Sequence, residues 1–183
     1  MPGRKMPRIE RAKVVPLALV ALVSLAGVMA RVEMQAQTPA PRPASTVQQL
    51  MQAILFPNAN VIFATESDDP AAVRRDDKPS ASTNPLSGLY GGWQAVENSS
   101  LALLESADLL NLSGRACENG RPVPVAESQW KAAVEAMRVS ARATAAAARA
   151  RSQEQISEAN AQLADSCSGC HRIYRRAQNH CSR

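Results

Sequence analysis

The feature that most restricts the fold of this chain is an apolar repeat with helical spacing, which returns in several stretches of the sequence. In the clearest stretch, apolar and small residues follow each other at steps of three and four from Leu89 to Leu110. A second stripe runs from Trp130 to Ala148, and a third from Ile156 to Tyr174. This spacing buries one face of an amphipathic α-helix, and no stretch gives a strand signal. The sequence therefore predicts an all-α protein.

Four helices are expected in residues 45–183. The first begins at Ser45 or Thr46, either of which can accept a hydrogen bond from a free helix N–H, and Pro57 should kink it. A long exposed loop, 65–87, separates it from a second helix of about 25 residues that ends at Gly114. The third helix covers about 127–151, and the fourth follows a break near residue 152. With no strand signal, this pattern favours an antiparallel four-helix bundle.

The last predicted helix contains Cys167-Ser168-Gly169-Cys170-His171. Two thiols at this spacing followed by an imidazole are what covalent haem attachment requires, because the thiols form thioethers and the histidine ligates the iron. The two cysteines are in phase with the apolar stripe of their helix. We therefore expect haem c in the bundle core, held by Cys167 and Cys170, with His171 as the proximal iron ligand.

Three other interpretations of this motif stay open. A redox dithiol is typical of a strand-helix-strand unit, which the sequence does not contain. A zinc site would need His180-Cys181 to complete the ligand set and would give a zinc-stabilised secreted helical module. In the third interpretation the spacing is accidental and the cysteines form structural disulfides.

The N-terminus predicts export. Residues 1–30 combine a basic start, an apolar stretch from Val14 to Met29 and the small residues of Val28-Met29-Ala30, as a cleaved secretory signal peptide does. An uncleaved membrane anchor is the alternative, although Pro16 interrupts the stretch. Residues 31–44 are polar and Pro-rich, which predicts a flexible tether. In either case residues 45–183 would lie outside the cytoplasm, in bacteria in the periplasm.

The net charge of the chain gives no support to a nucleic-acid partner. The whole sequence has a formal net charge of +5. Residues 1–30 hold five basic residues and one acidic residue, so only +1 remains once they are removed. The basic character is thus mainly a property of the signal segment.

These features together resemble the class II c-type cytochromes, the cytochrome c′ and cytochrome c-556 family. The resemblance covers about residues 45–177 and depends on the export signal, the four helices, the motif near the C-terminus, and the Tyr174-Arg175 pair that follows His171. It implies that Arg175 lies near the haem edge or His171 and tunes the iron. Arg175 is equally explained as a cation at the negative end of the helix dipole.

The resemblance also implies that the first helix faces the sixth coordination position of the iron. Met51 is the candidate sixth ligand, and otherwise it fills the core like most methionines on a helical stripe. In that second case Ile54 and Leu55 would line the distal pocket. Many relatives have an arginine one turn earlier, where this sequence has Val47, which argues against a gas site controlled by arginine.

The expected function is that of a periplasmic monohaem c-type cytochrome which transfers single electrons to a redox partner protein. The alternative is a cytochrome c′-like protein that binds NO or CO at an open distal site. No acid, base and nucleophile set points to an enzyme. Family members often form homodimers, so a homodimer is a further expectation. Cys117 and Cys181 remain after haem attachment and are candidates for a disulfide.

Overall fold

The computed structural model describes residues 42–73, 86–88, 90–175 and 181. Within them the regular structure is helical, apart from one isolated β-bridge between Ala116 and Pro122. The all-α prediction is therefore confirmed. The signal peptide predicted for 1–30 and most of the tether predicted for 31–44 lie outside the described residues. No helix among the described residues has the length and apolar character needed to cross a membrane.

The first helical segment, residues 47–66, changes helix type three times. It consists of α1 (Val47–Leu50), a π-helical turn (Met51–Leu55), α2 (Phe56–Phe63) and a 3₁₀ turn (Ala64–Glu66). Thr46 begins it with a capping box: its hydroxyl accepts from the Gln49 N–H at 3.2 Å, and the Gln49 side chain accepts from the Thr46 N–H at 2.9 Å. The predicted start is thus confirmed at Thr46.

Pro57 explains where the helix type changes. Its ring nitrogen cannot donate the hydrogen bond that would continue an α-helix. The π-helical turn lies immediately before it, with the Phe56 N–H donating to the Met51 carbonyl, and the Asn58 side chain donates to the Ile54 carbonyl at 2.7 Å. The segment therefore absorbs the proline by widening one turn.

The second helix, α3 (Trp93–Leu110), starts four residues later than the apolar repeat from Leu89 suggests. Gly92 is its N-terminal flanking residue, with φ of 61°. A Cβ at this position would lie 2.6 Å from the Pro70 carbonyl oxygen, so only glycine fits. Beyond Trp93 the predicted stripe is confirmed, because its members are buried: Val96, Ser100, Leu103, Ala107 and Leu110.

The last two helices match their predicted bounds closely. Helix α4 (Ser128–Ala150) ends at Arg151, a non-glycine residue with φ of 52°. Helix α5 (Gln153–Tyr174) begins after Ser152, whose hydroxyl accepts from the Gln155 N–H at 3.3 Å. The predicted α4 stripe is buried throughout: Trp130, Val134, Met137, Ala141, Ala145 and Ala148.

Helix α4 packs against both α3 and α5, and α2 packs against α3. Two ion pairs join α4 to α3, Arg138 with Asp108 and Arg149 with Glu97, each at 2.7 Å. The start of α5 meets the end of the first helical segment, where the Gln153 side chain donates to the Thr65 carbonyl at 2.8 Å.

A buried arginine and a disulfide hold together the chain segments near Cys117. Arg115 is 3% exposed and donates to the Leu109 carbonyl at the end of α3, at 3.0 Å, and to the Ser45 carbonyl, at 2.7 Å. Cys117 and Cys181 form a disulfide with a Cα–Cα distance of 5.0 Å. The Cys181 N–H donates to the Tyr174 carbonyl at 2.9 Å. The disulfide considered from the sequence is therefore present, and it lies beside the end of α5.

Candidate functional site on the last helix

The motif on α5 faces the protein core, as its phase predicts. The stripe that leads to it is buried at Ile156, Ala159 and Leu163, and it is buried again at Tyr174. Cys167 and Cys170 are half-buried, unpaired and packed against the hydrophobic core. The structure therefore places two free thiols on the inner face of a helix, with His171 beside them.

Burial changes the chemistry of both thiols. Removal from water raises the pKa of Cys170 to about 11, and the negative charge that Cys167 would carry adds to this effect. Burial also raises the pKa of Cys167, although a hydrogen bond with Ser166 acts in the opposite direction. Both side chains are therefore protonated, apolar groups at neutral pH.

His171 is half-buried, and the same burial favours its uncharged form. Desolvation is the larger cause that lowers its pKa, and the positive charge of Arg175 is the second. Arg175 is exposed and follows the last turn of α5, where its N–H donates to the His171 carbonyl at 3.0 Å. A neutral imidazole with a free nitrogen lone pair is the form that ligates a metal. Arg175 thus acts on His171 electrostatically, in the direction that favours the uncharged imidazole.

Gly169 lies between the two cysteines in the sequence but on a different face of α5. A Cβ built on Gly169 would meet only the guanidinium of Arg172, at 3.9 Å. That contact involves the far end of a flexible side chain. The open space at Gly169 therefore lies beside the face that carries the two thiols.

An aromatic pair completes the inner surface next to the motif. Trp130 of α4 and Tyr174 of α5 pack edge to face, with ring centroids 4.9 Å apart and an interplanar angle of 71°. Within the described residues, the Trp130 Nε1 and the Tyr174 hydroxyl are buried without a hydrogen-bond partner. Each unpaired buried donor costs about 1–3 kcal/mol. The sequence analysis missed this pair, although both aromatics occupy ends of the predicted stripes in a chain with few aromatic residues.

The proposed distal residues lie on the π-helical turn. Met51 and Ile54 are half-buried and packed against the core, while Leu55 is buried. This turn packs against α3. π-Helical turns are rare and occur frequently at functional sites, which marks the segment with Met51 as unusual.

The residues fit a covalently attached haem better than a zinc ion. The thiol that zinc would need, Cys181, is in the disulfide with Cys117, and His180 lies outside the described residues. Among the side chains that the structure describes, no group of three or more His, Cys, Asp and Glu is arranged to hold a metal ion. Covalent haem attachment would use the thiols of Cys167 and Cys170 and the imidazole of His171, and neither thiol is in the disulfide.

Comparison with known proteins finds no matching family model, no similar curated protein and no similar solved structure.

Proposed function

We propose that the protein is an exported monohaem c-type cytochrome of the class II type, which transfers single electrons in the periplasm. The observation that carries the proposal is the presence of two unpaired thiols on the core face of α5 beside a half-buried imidazole whose pKa is lowered by burial. Thioether attachment needs free thiols, and axial ligation needs an unprotonated imidazole nitrogen. The other cysteine pair is in a disulfide, which leaves Cys167 and Cys170 as the attachment pair.

In this proposal the domain is an antiparallel four-helix bundle with the haem in its core. Several contacts support this arrangement. Arg149 near the end of α4 pairs with Glu97 near the start of α3, and Arg138 pairs with Asp108 further along, as expected for helices of opposite direction. The end of the first helical segment meets the start of α5, since Asn160 donates to the Thr65 hydroxyl at 2.9 Å. Cofactors in helix bundles lie among such facing helices.

Each residue of the site then has a definite task. Cys167 and Cys170 anchor the haem through their sulfur atoms, and His171 ligates the iron. Arg175 places positive charge near the imidazole, which lowers its basicity and stabilises electrons on the site. The core side chains exclude water, which limits the reorganisation that accompanies a change of charge. When bound, the haem would supply a one-electron exchange between ferric and ferrous iron.

We assign Met51 as the sixth ligand in this proposal. Its half-buried position on a π-helical turn supports the assignment, because such turns are rare and occur frequently at functional sites. A thioether ligand favours ferrous iron and raises the reduction potential. If instead the wild-type protein has a high-spin ferric spectrum that changes on addition of NO, the distal site is open and gas binding is the function.

The first experiment is production of the full chain in a bacterial host that attaches haem in its periplasm. We expect a red protein whose intact mass exceeds that of the cleaved polypeptide by one haem, and whose haem resists extraction with acidic acetone. Colourless protein of unmodified mass would contradict the proposal.

Matched cysteine variants show whether the correct pair is used. Cys167→Ala with Cys170→Ala is expected to abolish covalent haem. Cys117→Ala with Cys181→Ala removes the same number of cysteines outside the motif and is expected to keep it. Retention of covalent haem in the first double variant would refute the assignment of these two thiols.

A further inference from the structure

The aromatic pair next to the motif contains two hydrogen-bond donors that the protein itself does not satisfy. Trp130 is 2% exposed and Tyr174 is 5% exposed, so water does not freely solvate either polar group. The indole N–H can only donate, and a phenol hydroxyl donates and accepts. Buried donors of this kind are nearly always paired in folded proteins. We therefore expect a bound group, rather than a side chain of the described residues, to accept these two hydrogen bonds.

Tyr174 is placed for contact with a group attached to the motif. It follows Cys170 by four residues on α5, so the two side chains lie on one face of the helix. Burial raises the pKa of the Tyr174 hydroxyl, and so do the carboxylate of Glu127, the residue before α4, and the charge that Cys170 would carry. Trp130 is in ring contact with Tyr174 and lies in the first turn of α4. Tyr174 therefore lies on the helix face that carries the two thiols, and Trp130 lies in contact with Tyr174.

The chemistry of the proposed cofactor limits the choice of acceptor. The porphyrin ring and its thioether links are apolar or weakly polar, whereas the two propionate side chains carry carboxylates. A carboxylate buried in an apolar site needs strong donors, and hydrogen bonds to an ionised acceptor are about twice as strong as neutral ones.

We infer that the Trp130 Nε1–H and the Tyr174 hydroxyl donate hydrogen bonds to a propionate of the attached haem. This inference rests on the proposed function and extends it to two positioning residues that the sequence motif does not contain. The bonds keep the propionate ionised and fix the haem in one orientation relative to α4 and α5.

The test uses the haem-loaded full chain with Tyr174→Phe, which removes only the hydroxyl oxygen, and Trp130→Phe. Intact mass first establishes that each variant contains covalent haem. Resonance Raman spectroscopy then reports the bending band of the propionates, and the pH dependence of the reduction potential reports their ionisation. We expect each variant to shift the propionate band and to move the pH midpoint of the potential upward.

Two controls separate this effect from general disturbance of the site. Trp93→Phe removes the other tryptophan, at the start of α3, and is expected to leave both readouts unchanged. Glu127→Gln removes the carboxylate near Tyr174 and should also leave the propionate band in place. A Glu127→Gln shift as large as that of Tyr174→Phe would show that the readout follows nearby charge, which would overturn the inference.

The outcomes distinguish this inference from the proposed function. Wild-type protein without covalent haem refutes the proposed function, and the inference falls with it. Variants that contain haem but show the wild-type band and pH midpoint overturn the inference alone. In that case the two donors of the wild-type protein do not bind a propionate.

Discussion

At the scale of single residues, the two thiols of the motif are free to react and yet protected from reaction. They are available for covalent chemistry because neither is in a disulfide, yet burial keeps them protonated. Cysteine reacts as the thiolate, so a raised pKa makes both groups slow toward unintended partners. We expect the haem-free chain to keep these thiols reduced until haem is attached.

The haem-free chain offers a direct measurement of this protection. Burial raises the pKa of Cys170 to about 11 from the 9.0 of an ordinary thiol, which leaves roughly 100-fold less thiolate at pH 8. Higher intrinsic reactivity of the thiolate offsets part of the loss, so alkylation by iodoacetamide should be about tenfold slower than for an ordinary thiol. The rate should rise with pH up to about 11. The same chain in denaturant is the control, and equal rates in both conditions would contradict the prediction.

The same pKa predicts how the stability of the haem-free chain depends on pH. The folded state holds the Cys170 proton more tightly than the unfolded state. The contribution of this difference to the free energy of unfolding is fully present below about pH 9, and it is lost as the pH rises toward about 11. A shift of about two units corresponds to about 2–3 kcal/mol. Urea unfolding at pH 8 and pH 10.5 measures this loss, and Cys170→Ala should lose less over the same interval.

Met51 is the residue on which the choice between electron transfer and gas binding depends. If it ligates the iron, Met51→Ala should convert low-spin haem to high-spin haem, because alanine has no ligating atom. Ile54→Ala, on the same π-helical turn, is the control and should keep the low-spin spectrum. A Met51→Ala protein with an unchanged visible spectrum would exclude Met51 as a ligand.

At the scale of helices, the apolar repeat was sufficient to predict where most of them lie. The buried stripes of α3, α4 and α5 agree with prediction beyond Trp93, because each depends on the burial of one helical face. The exact ends of the helices depend instead on backbone conformation and on close contacts. Gly92 starts α3 through a backbone conformation and a close approach to Pro70, neither of which leaves a periodic signal.

The first helical segment shows a second limit of sequence reasoning. Pro57 predicts a disturbance, but a kink and a wider turn have the same sequence signature. The structure has the wider turn, in a segment that packs against α3. Likewise, the unpaired donors of Trp130 and Tyr174 follow from packing between helices, so the pattern of either helix alone could not predict them.

Gly92 provides a test of how strongly a helix start depends on one residue. Gly92→Ala would bring a Cβ to 2.6 Å from the Pro70 carbonyl at a φ of 61°, and we expect a loss of about 2–4 kcal/mol in the free energy of unfolding. Gly120→Ala is the control, because Gly120 also has a positive φ, of 79°, but its Cβ would meet open space. That variant should lose about 1–2 kcal/mol. Equal losses would mean that the contact with Pro70 contributes nothing.

At the scale of the whole molecule, a disulfide and backbone hydrogen bonds join distant parts of the chain near the end of α5. The Cys117–Cys181 disulfide joins the loop after α3 to the C-terminal segment, and Cys181 also donates to the Tyr174 carbonyl. The Val47 N–H donates to the Ala116 carbonyl at 2.9 Å, which brings in the start of the first helical segment. The turn that follows the motif is therefore linked through Cys181 and Cys117 to the loop after α3, which also contacts the start of the first helical segment.

The disulfide should accordingly stabilise the fold without taking part in haem attachment. Its cysteines are separated by 64 residues, and a loop of that size corresponds to roughly 4 kcal/mol in the chain-entropy description of disulfides. We expect Cys117→Ala with Cys181→Ala to lower the free energy of unfolding by about 2–4 kcal/mol, measured by urea denaturation of the haem-loaded protein. A reductant should lower the stability of the wild-type protein by a similar amount and leave the double variant unchanged. If the reductant destabilised both proteins equally, the disulfide would not be the source of the effect, and the end of α5 would depend on its hydrogen bonds and core packing alone.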